Sequence, residues 1–172
     1  MKAPKKILIP IDMSLYSLVA VQYGQEIAEL FDAEVVMLYV DERDGKKEDK
    51  EGPEKVRESE TSQRKKYVAT IQQLLINHDL VLRSMRIEVR FGAAVREIVK
   101  AAEELQADLI VMSTHGRTGL RHVLLGSVAE KVVRFAKVPV LTVKPEEIRE
   151  LIHITEEDVE LSLRLQTQYS EQ

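Results

Sequence analysis

The sequence predicts an α/β protein built on a single open parallel sheet of five strands with helices on both faces. Three observations carry this. Five short apolar runs alternate with longer stretches of helical periodicity, giving β-α-β-α-β-α-β-α-β across residues 5–143. Strands separated by helix-length segments pair in parallel, because parallel neighbours need a long crossover. The run "DLIVM" (108–112) is apolar without alternation, as a strand covered on both faces must be. Finally, the pattern contains no internal repeat, so the 172 residues are read as one domain, long enough to bury about 70% of the unfolded chain's surface.

The first strand is expected over Ile7–Ile11 within "KKILIPID", ending at Asp12. Ser14 then offers a hydroxyl to cap a helix whose stripe runs Tyr16, Val19, Tyr23, Ile27, Leu30 at steps of three and four. "AEVVMLYV" (33–40) is the second strand. Residues 41–53, "DERDGKKEDKEGP", hold ten charges, two glycines and a proline and read as a solvated loop. A long helix is expected over 54–78, with Tyr67, Ile71, Leu74, Leu75 and His78 on one face near its end. "MRIEVRF" (85–91) alternates, placing Ile87, Val89 and Phe91 on one side of a half-covered edge strand that Gly92 stops. The third helix, 93–106, turns Val95, Ile98, Val99, Ala102 and Leu105 inward. The fourth, Ser127 to Ala136, turns Ala129, Val132, Val133 and Ala136 inward. "VPVLTV" (138–143) is the last strand, short and apolar, and is expected at the other sheet edge. An uncovered apolar edge invites a second copy, so a homodimer through 138–143 is expected, unless the tail folds back over that edge.

Composition excludes several function classes. The net charge of −4 gives no basic footprint for nucleic acid. With no cysteine, disulfides, zinc-thiolate sites and thiol nucleophiles are absent, and the chain suits a reducing compartment. No apolar stretch approaches the roughly 20 residues of a membrane span, and Pro10 interrupts the only apolar run near the N-terminus, which does not read as a signal peptide. A cytoplasmic protein is expected. The tail, 146–172, sets eight acidic side chains against Arg149 and Arg164. "TEED" (155–158) resembles a capping box, and a short helix is expected near 156–167 with Leu161 and Leu165 on one turn.

The stretch that carries chemistry is "MSTHGRTGLRHVLLGS" (112–127). It leaves the carboxyl end of the fourth strand and enters the fourth helix at Gly126-Ser127. Ligands of open parallel sheets sit beyond the carboxyl ends of the strands. A helix N-terminus carries unpaired N–H groups and partial positive charge, which favour an anion such as phosphate. Arg117, Arg121 and His122 add cations nearby. The plainer alternative is a turn that uses glycine for its backbone and a common Gly-Ser cap.

"Pro10-Ile-Asp12", the segment "DLIVMSTHGRTGLRHVLLGSVAEKVVRFAKVPVLTV" and the strand alternation over residues 5–143 resemble the universal stress protein family. The sharpest element is the family's ATP-binding pattern G-x2-G-x9-G-[ST], matched at Gly116, Gly126 and Ser127, with Ser113 where the first glycine belongs. The resemblance implies an adenine-nucleotide alpha-hydrolase-like sheet of order 3-2-1-4-5, a nucleotide-binding domain over 1–145 and a separate tail over 146–172. It further implies that Asp12 accepts from ribose hydroxyls and that Pro10 and Val40 line an adenine slot, Val40 also offering backbone groups. Met112, Ser113, His115 and Gly116 would lie along ribose and phosphates. Gly126, Ser127 and Val128 would donate amides to the phosphates, and Arg117 is a possible extra charge-assisted donor. The ligand implied is ATP, with AMP or ADP as alternatives, and Mg²⁺ or Mn²⁺ arriving with the phosphates. A serine at 113 costs about one to a few kcal/mol if that position needs a positive φ.

As for catalysis, there is no G-x4-G-K-[ST] loop, since no lysine follows Gly126, and no protein-kinase motif set. His115 and His122 have no carboxylate at ligand spacing, so no metal site is expected from the chain alone. The expected function is a nucleotide-binding regulatory module with at most slow ATP hydrolysis. The alternatives are a true ATPase or transferase, or an interaction protein of the same fold that binds no nucleotide.

Overall fold

The computed structural model describes residues 2–42, 53–80, 85–114 and 125–144. Along these the elements are β1 (Lys6–Ile11), α1 (Leu15–Phe31), β2 (Glu34–Asp41), α2 (Pro53–Asn77), β3 (Met85–Phe91), α3 (Ala94–Glu104), β4 (Leu109–Ser113), α4 (Ser127–Phe135) and β5 (Val140–Val143). The sheet is parallel throughout and ordered β3-β2-β1-β4-β5, as expected. The helix expected near 156–167 lies outside the described residues, as does most of the charged 41–53 segment.

The strand order explains the layers. From β1 the chain builds outward to β2 and β3, then returns past β1 to lay down β4 and β5. Crossovers of one hand therefore put α1 and α2 on one face and α3 and α4 on the other. The strands divide their side chains accordingly. Ile7, Ile9, Val35, Met37 and Val111 pack with Leu18, Val21, Ile71 and Leu75. Leu8, Val36, Leu38, Ile110 and Met112 pack with Ile98, Ala101, Ala129 and Val132. The central strands β1, β2 and β4 thus supply both cores by their two-residue alternation, whereas β3 gives its apolar side chains to the first core alone.

Ser14 caps α1 as expected, its hydroxyl accepting from the Ser17 amide at 3.3 Å. Of the stripe expected on α1, Val19 is buried and Tyr23 and Ile27 pack half-buried against the core, but Leu30 is 79% exposed, and the buried seam also takes in Ser17, Leu18, Ala20, Val21, Gly24, Gln25 and Ala28. The cause is close approach: a Cβ on Gly24 would overlap the Ile9 side chain, so small residues occupy the centre of the contact and large ones flank it. Val133 on α4, expected inward, is 46% exposed. α4 packs on α3 and β5 through Ala129 and Val132; Val133 lies roughly 100° further round the helix, outside that contact. On α2, Tyr67 packs its ring 4.7 Å from Tyr39 and donates its hydroxyl to Asp41 at 2.9 Å. Gly92, with φ +134°, makes the turn from β3 into α3, and its amide donates to the Asp41 carbonyl at 3.0 Å. That φ belongs to glycine.

Candidate functional site

Strand pairing opens a crevice at the carboxyl ends of β1 and β4. β1 stays in register with β2 through Ile11↔Tyr39, but its register with β4 ends at Leu8↔Ile110. The amide of Glu34 donates to the Lys5 carbonyl on the β2 side, and that of Asp108 to the Lys6 carbonyl on the β4 side. In a parallel ladder successive residues address opposite neighbours, so odd residues of β1 face β2 and even ones face β4. Pro10 is even-numbered and has no N–H to give β4. Its place in a central strand costs no bond to β2, and it favours the parting of β1 from β4. This is the reversal point of the strand order, where open sheets bind ligands.

The same parity directs Val40. Glu34 addresses β1, whereas the Asp41 carbonyl accepts from Gly92 on the β3 side. The backbone of Val40 therefore faces β1, just past the last β1–β2 pair, at the mouth of the crevice.

The crevice is a cleft of ≈ 380 Å³. Its β2–α3 side is apolar but for Glu42, being made by Leu38, Val40, Ala94 and Ile98, with Met112 on the β4 side of the same core. Its β4–α4 side is polar, with Ser113, Thr114, Gly126 and Ser127. Asp12 stands between them. Its Oδ1 accepts from the Ser14 amide at 3.0 Å and from the Ser14 hydroxyl, so Asp12 fixes the turn into α1 while Ser14 itself is the cap. Met13, inside this turn, holds φ 63°, a strained value for a residue with a side chain.

Gly126 is the N-cap of α4, with φ −63° and ψ 152°. These angles suit any residue, so what favours glycine here is space rather than backbone conformation. Its amide donates to the Thr114 carbonyl at 2.7 Å, and a Cβ would stand 3.0 Å from that same oxygen. The helix begins with Glu130 bonding back to Gly126, so the amides of Ser127, Val128 and Ala129 lie ahead of the first intrahelical bond. Ser113 lies within β4, in register with Val143, and is not among the described residues of positive φ. Serine there carries none of the left-handed strain that the motif departure raised.

Eight expected site residues, Pro10, Asp12, Val40, Met112, Ser113, Gly126, Ser127 and Val128, line this one cleft. His115, Gly116 and Arg117 lie outside the described residues. Leu38, Ala94, Ile98 and Thr114 join the lining without having been singled out from sequence. Leu38 was legible in principle, standing two residues before Val40 on the same face of the strand. Among the described residues no group of three or more His, Asp or Glu side chains is placed to hold a metal ion, and no helix is long and apolar enough to cross a membrane.

The model of the universal stress protein family matches residues 4–144. The chain belongs to the universal stress protein family. Among its relatives is Universal stress protein MJ0531 of Methanocaldococcus jannaschii, 39% identical over 142 residues, covering 81% of this chain and 82% of that one. Universal stress protein MJ0577 of the same organism is 35% identical over 153 residues, covering 81% and 94%. The solved structure of MJ0577 superimposes with a TM-score of 0.65 over 83% of this chain and 97% of that one, at 32% identity. A universal stress protein solved in complex with cAMP gives a TM-score of 0.55 at 25% identity, over 83% and 98%. The match to the universal stress protein model stops at 144, which leaves the acidic tail outside the family core.

Proposed function

We propose that this universal stress protein binds an adenine nucleotide, ATP foremost, in the β1/β4 cleft and acts as a dimeric, cytoplasmic regulatory module. The observation that carries the reading is the two-sided chemistry of the cleft. An apolar slot beside the Val40 backbone suits a base, and the leading amides of α4, a few residues away across Asp12, suit a polyphosphate. The contact at Gly126 supports it, because a Cβ there would stand tight against the Thr114 carbonyl beside those amides. The similar universal stress protein solved with cAMP supports an adenine ligand.

In this reading Pro10, Val40 and Met112 border the base, and Asp12 accepts from ribose hydroxyls. Ser113 and the amides of Gly126, Ser127 and Val128 hold phosphate, with His115, Gly116 and Arg117 contributing from the segment between. Mg²⁺ or Mn²⁺ enters with the phosphates and keeps most of its water. Hydrolysis is slow or absent, and AMP or ADP competes for the same place. The dimer forms through β5, a strand without charge on which Leu141 is partly exposed.

The test is extraction. Purified protein is denatured and the supernatant is run on an ion-exchange column. Adenine nucleotide near one per chain is the expected result. An empty supernatant together with no thermal shift in ATP favours the second reading, an interaction protein without a nucleotide, which rests on the missing first glycine at Ser113. Release of more than a few phosphates per protein per minute makes the protein an enzyme.

A further inference from the structure

We propose that Glu42 reads the exocyclic amine of the base and so makes the cleft prefer adenine to a 6-oxo purine; this rests on the nucleotide reading above. Glu42 follows β2 directly and lines the cleft. Its Oε1 accepts from the amide of Ala94, the first residue of α3, at 2.8 Å. The N-cap of α3 is Ala93, which has no side-chain acceptor to offer. Glu42 therefore caps α3 from another element, and the bond fixes where the carboxylate sits.

That place is chemically distinct. Among the described lining residues, Asp12 and Glu42 are the acids, and on the β2–α3 side Glu42 stands alone beside Leu38, Val40, Ala94 and Ile98. A carboxylate accepts hydrogen bonds and cannot donate, and one bond from Ala94 leaves it further acceptor capacity. A 6-amino purine brings an N–H to such a group. A 6-oxo purine brings a carbonyl, so lone pairs face lone pairs. The charge also orients the ligand: phosphates avoid the Glu42 side and are drawn to the positive end of α4. Because Glu42 is exposed, its effect is screened, and a discrimination of roughly tenfold is expected rather than the far larger ratios of enclosed polar sites.

The experiment measures ATP and ITP affinity by calorimetry for the wild type, Glu42→Gln and Glu42→Ala, with thermal unfolding of each. ITP differs in carrying a carbonyl where ATP carries the amine. Gln retains an oxygen for Ala94 and adds a donor for the ITP carbonyl. The wild type is expected to favour ATP by roughly tenfold, and Glu42→Gln to bring the two within about threefold at an unchanged unfolding temperature. Glu42→Ala is expected to lose the preference too. If the preference survives in both variants, the Val40 backbone is the reader and the proposal fails. If Glu42→Ala weakens both nucleotides in equal proportion, Glu42 only props the wall and the proposal again fails. A wild type that binds ATP and ITP equally overturns this inference alone; one that binds neither overturns the nucleotide reading with it.

Discussion

The amide of Gly126 donates to the carbonyl of Thr114 at 2.7 Å, tying the exit of β4 to the entrance of α4. This bond sets how close the helix's leading amides come to the cleft. Gly126→Ala keeps an allowed backbone but places a Cβ at 3.0 Å from the Thr114 oxygen, so helix or strand must give way. The expected cost is about 1 kcal/mol in stability and roughly a tenfold loss in nucleotide affinity. Gly126→Asp adds a negative charge at the phosphate position and is expected to abolish binding. Denaturant titration and calorimetry check both; an unweakened Gly126→Asp places the ligand elsewhere.

Ser113 departs from the family pattern, yet its backbone is that of an ordinary strand residue in register with Val143. Restoring glycine therefore relieves no strain. Ser113→Gly is expected to lower stability by about 0.5–1 kcal/mol, because glycine loses more freedom on entering a strand. ATP affinity is expected to stay within about threefold of the wild type. A tenfold tightening in Ser113→Gly would show that the serine side chain obstructs the ligand.

Asp108 anchors the start of β1, its Oδ2 accepting from the amides of Lys5 at 2.8 Å and Lys6 at 2.9 Å. The Lys5 bond foremost holds this carboxyl below its ordinary range, with the Lys6 amide and the charges of Lys2 and Lys6 adding to it and desolvation opposing it. A lowered folded pKa means that the ionised form is favoured by folding. Its contribution is fully present above the ordinary carboxylate range and is lost as pH falls through that range to the lowered value. Asp108→Asn is expected to destabilise the protein by about 0.5–1 kcal/mol at neutral pH, a modest figure because the group is exposed. The difference from wild type shrinks as the solution is acidified. Urea midpoints for both proteins from pH 7 to pH 3, about the span of carboxylate titration, check the sign; a gap that widens in acid contradicts it.

Most of the fold was legible because its elements are strongly patterned. The unalternating run ending at Met112 marked a central strand, and Gly92 marked a true break because its φ of +134° excludes other residues. What escaped depends on distances between elements. Leu30 fits a helical stripe but is displaced by the close approach at Gly24, which only the packed neighbour Ile9 reveals. Val133 fits the inner face of its helix until the position of α3 and β5 shows where that contact ends. In the cleft, residues contributed by the ends of β1, β4 and α4 were readable from the motif resemblance. The α3 wall was not, because nothing in the order of residues brings Ala94 to Glu42. Pro10 is legible as a slot residue from the motif, but its effect on strand pairing follows from which neighbour its missing N–H would have faced.

The two edges of the sheet are unlike, and that difference predicts the assembly. β3 carries Arg86, Glu88 and Arg90, with Arg90 bonded to Glu88 and to Glu104 of α3. Charged side chains at an edge discourage pairing with another chain. β5, by contrast, is Val-Leu-Thr-Val without a charge, and Leu141 is 39% exposed, with Phe135 on α4 at 57%. A twofold pairing of β5 edges would satisfy their backbone groups and cover this apolar surface. Leu141→Glu is therefore expected to give a monomer, because it puts a charge on the pairing edge, while Arg86→Glu at the opposite edge stays dimeric. Sedimentation equilibrium at micromolar concentration reads the outcome directly. A wild type that sediments as a monomer there, or a Leu141→Glu protein that remains a dimer, removes β5 as the joining edge.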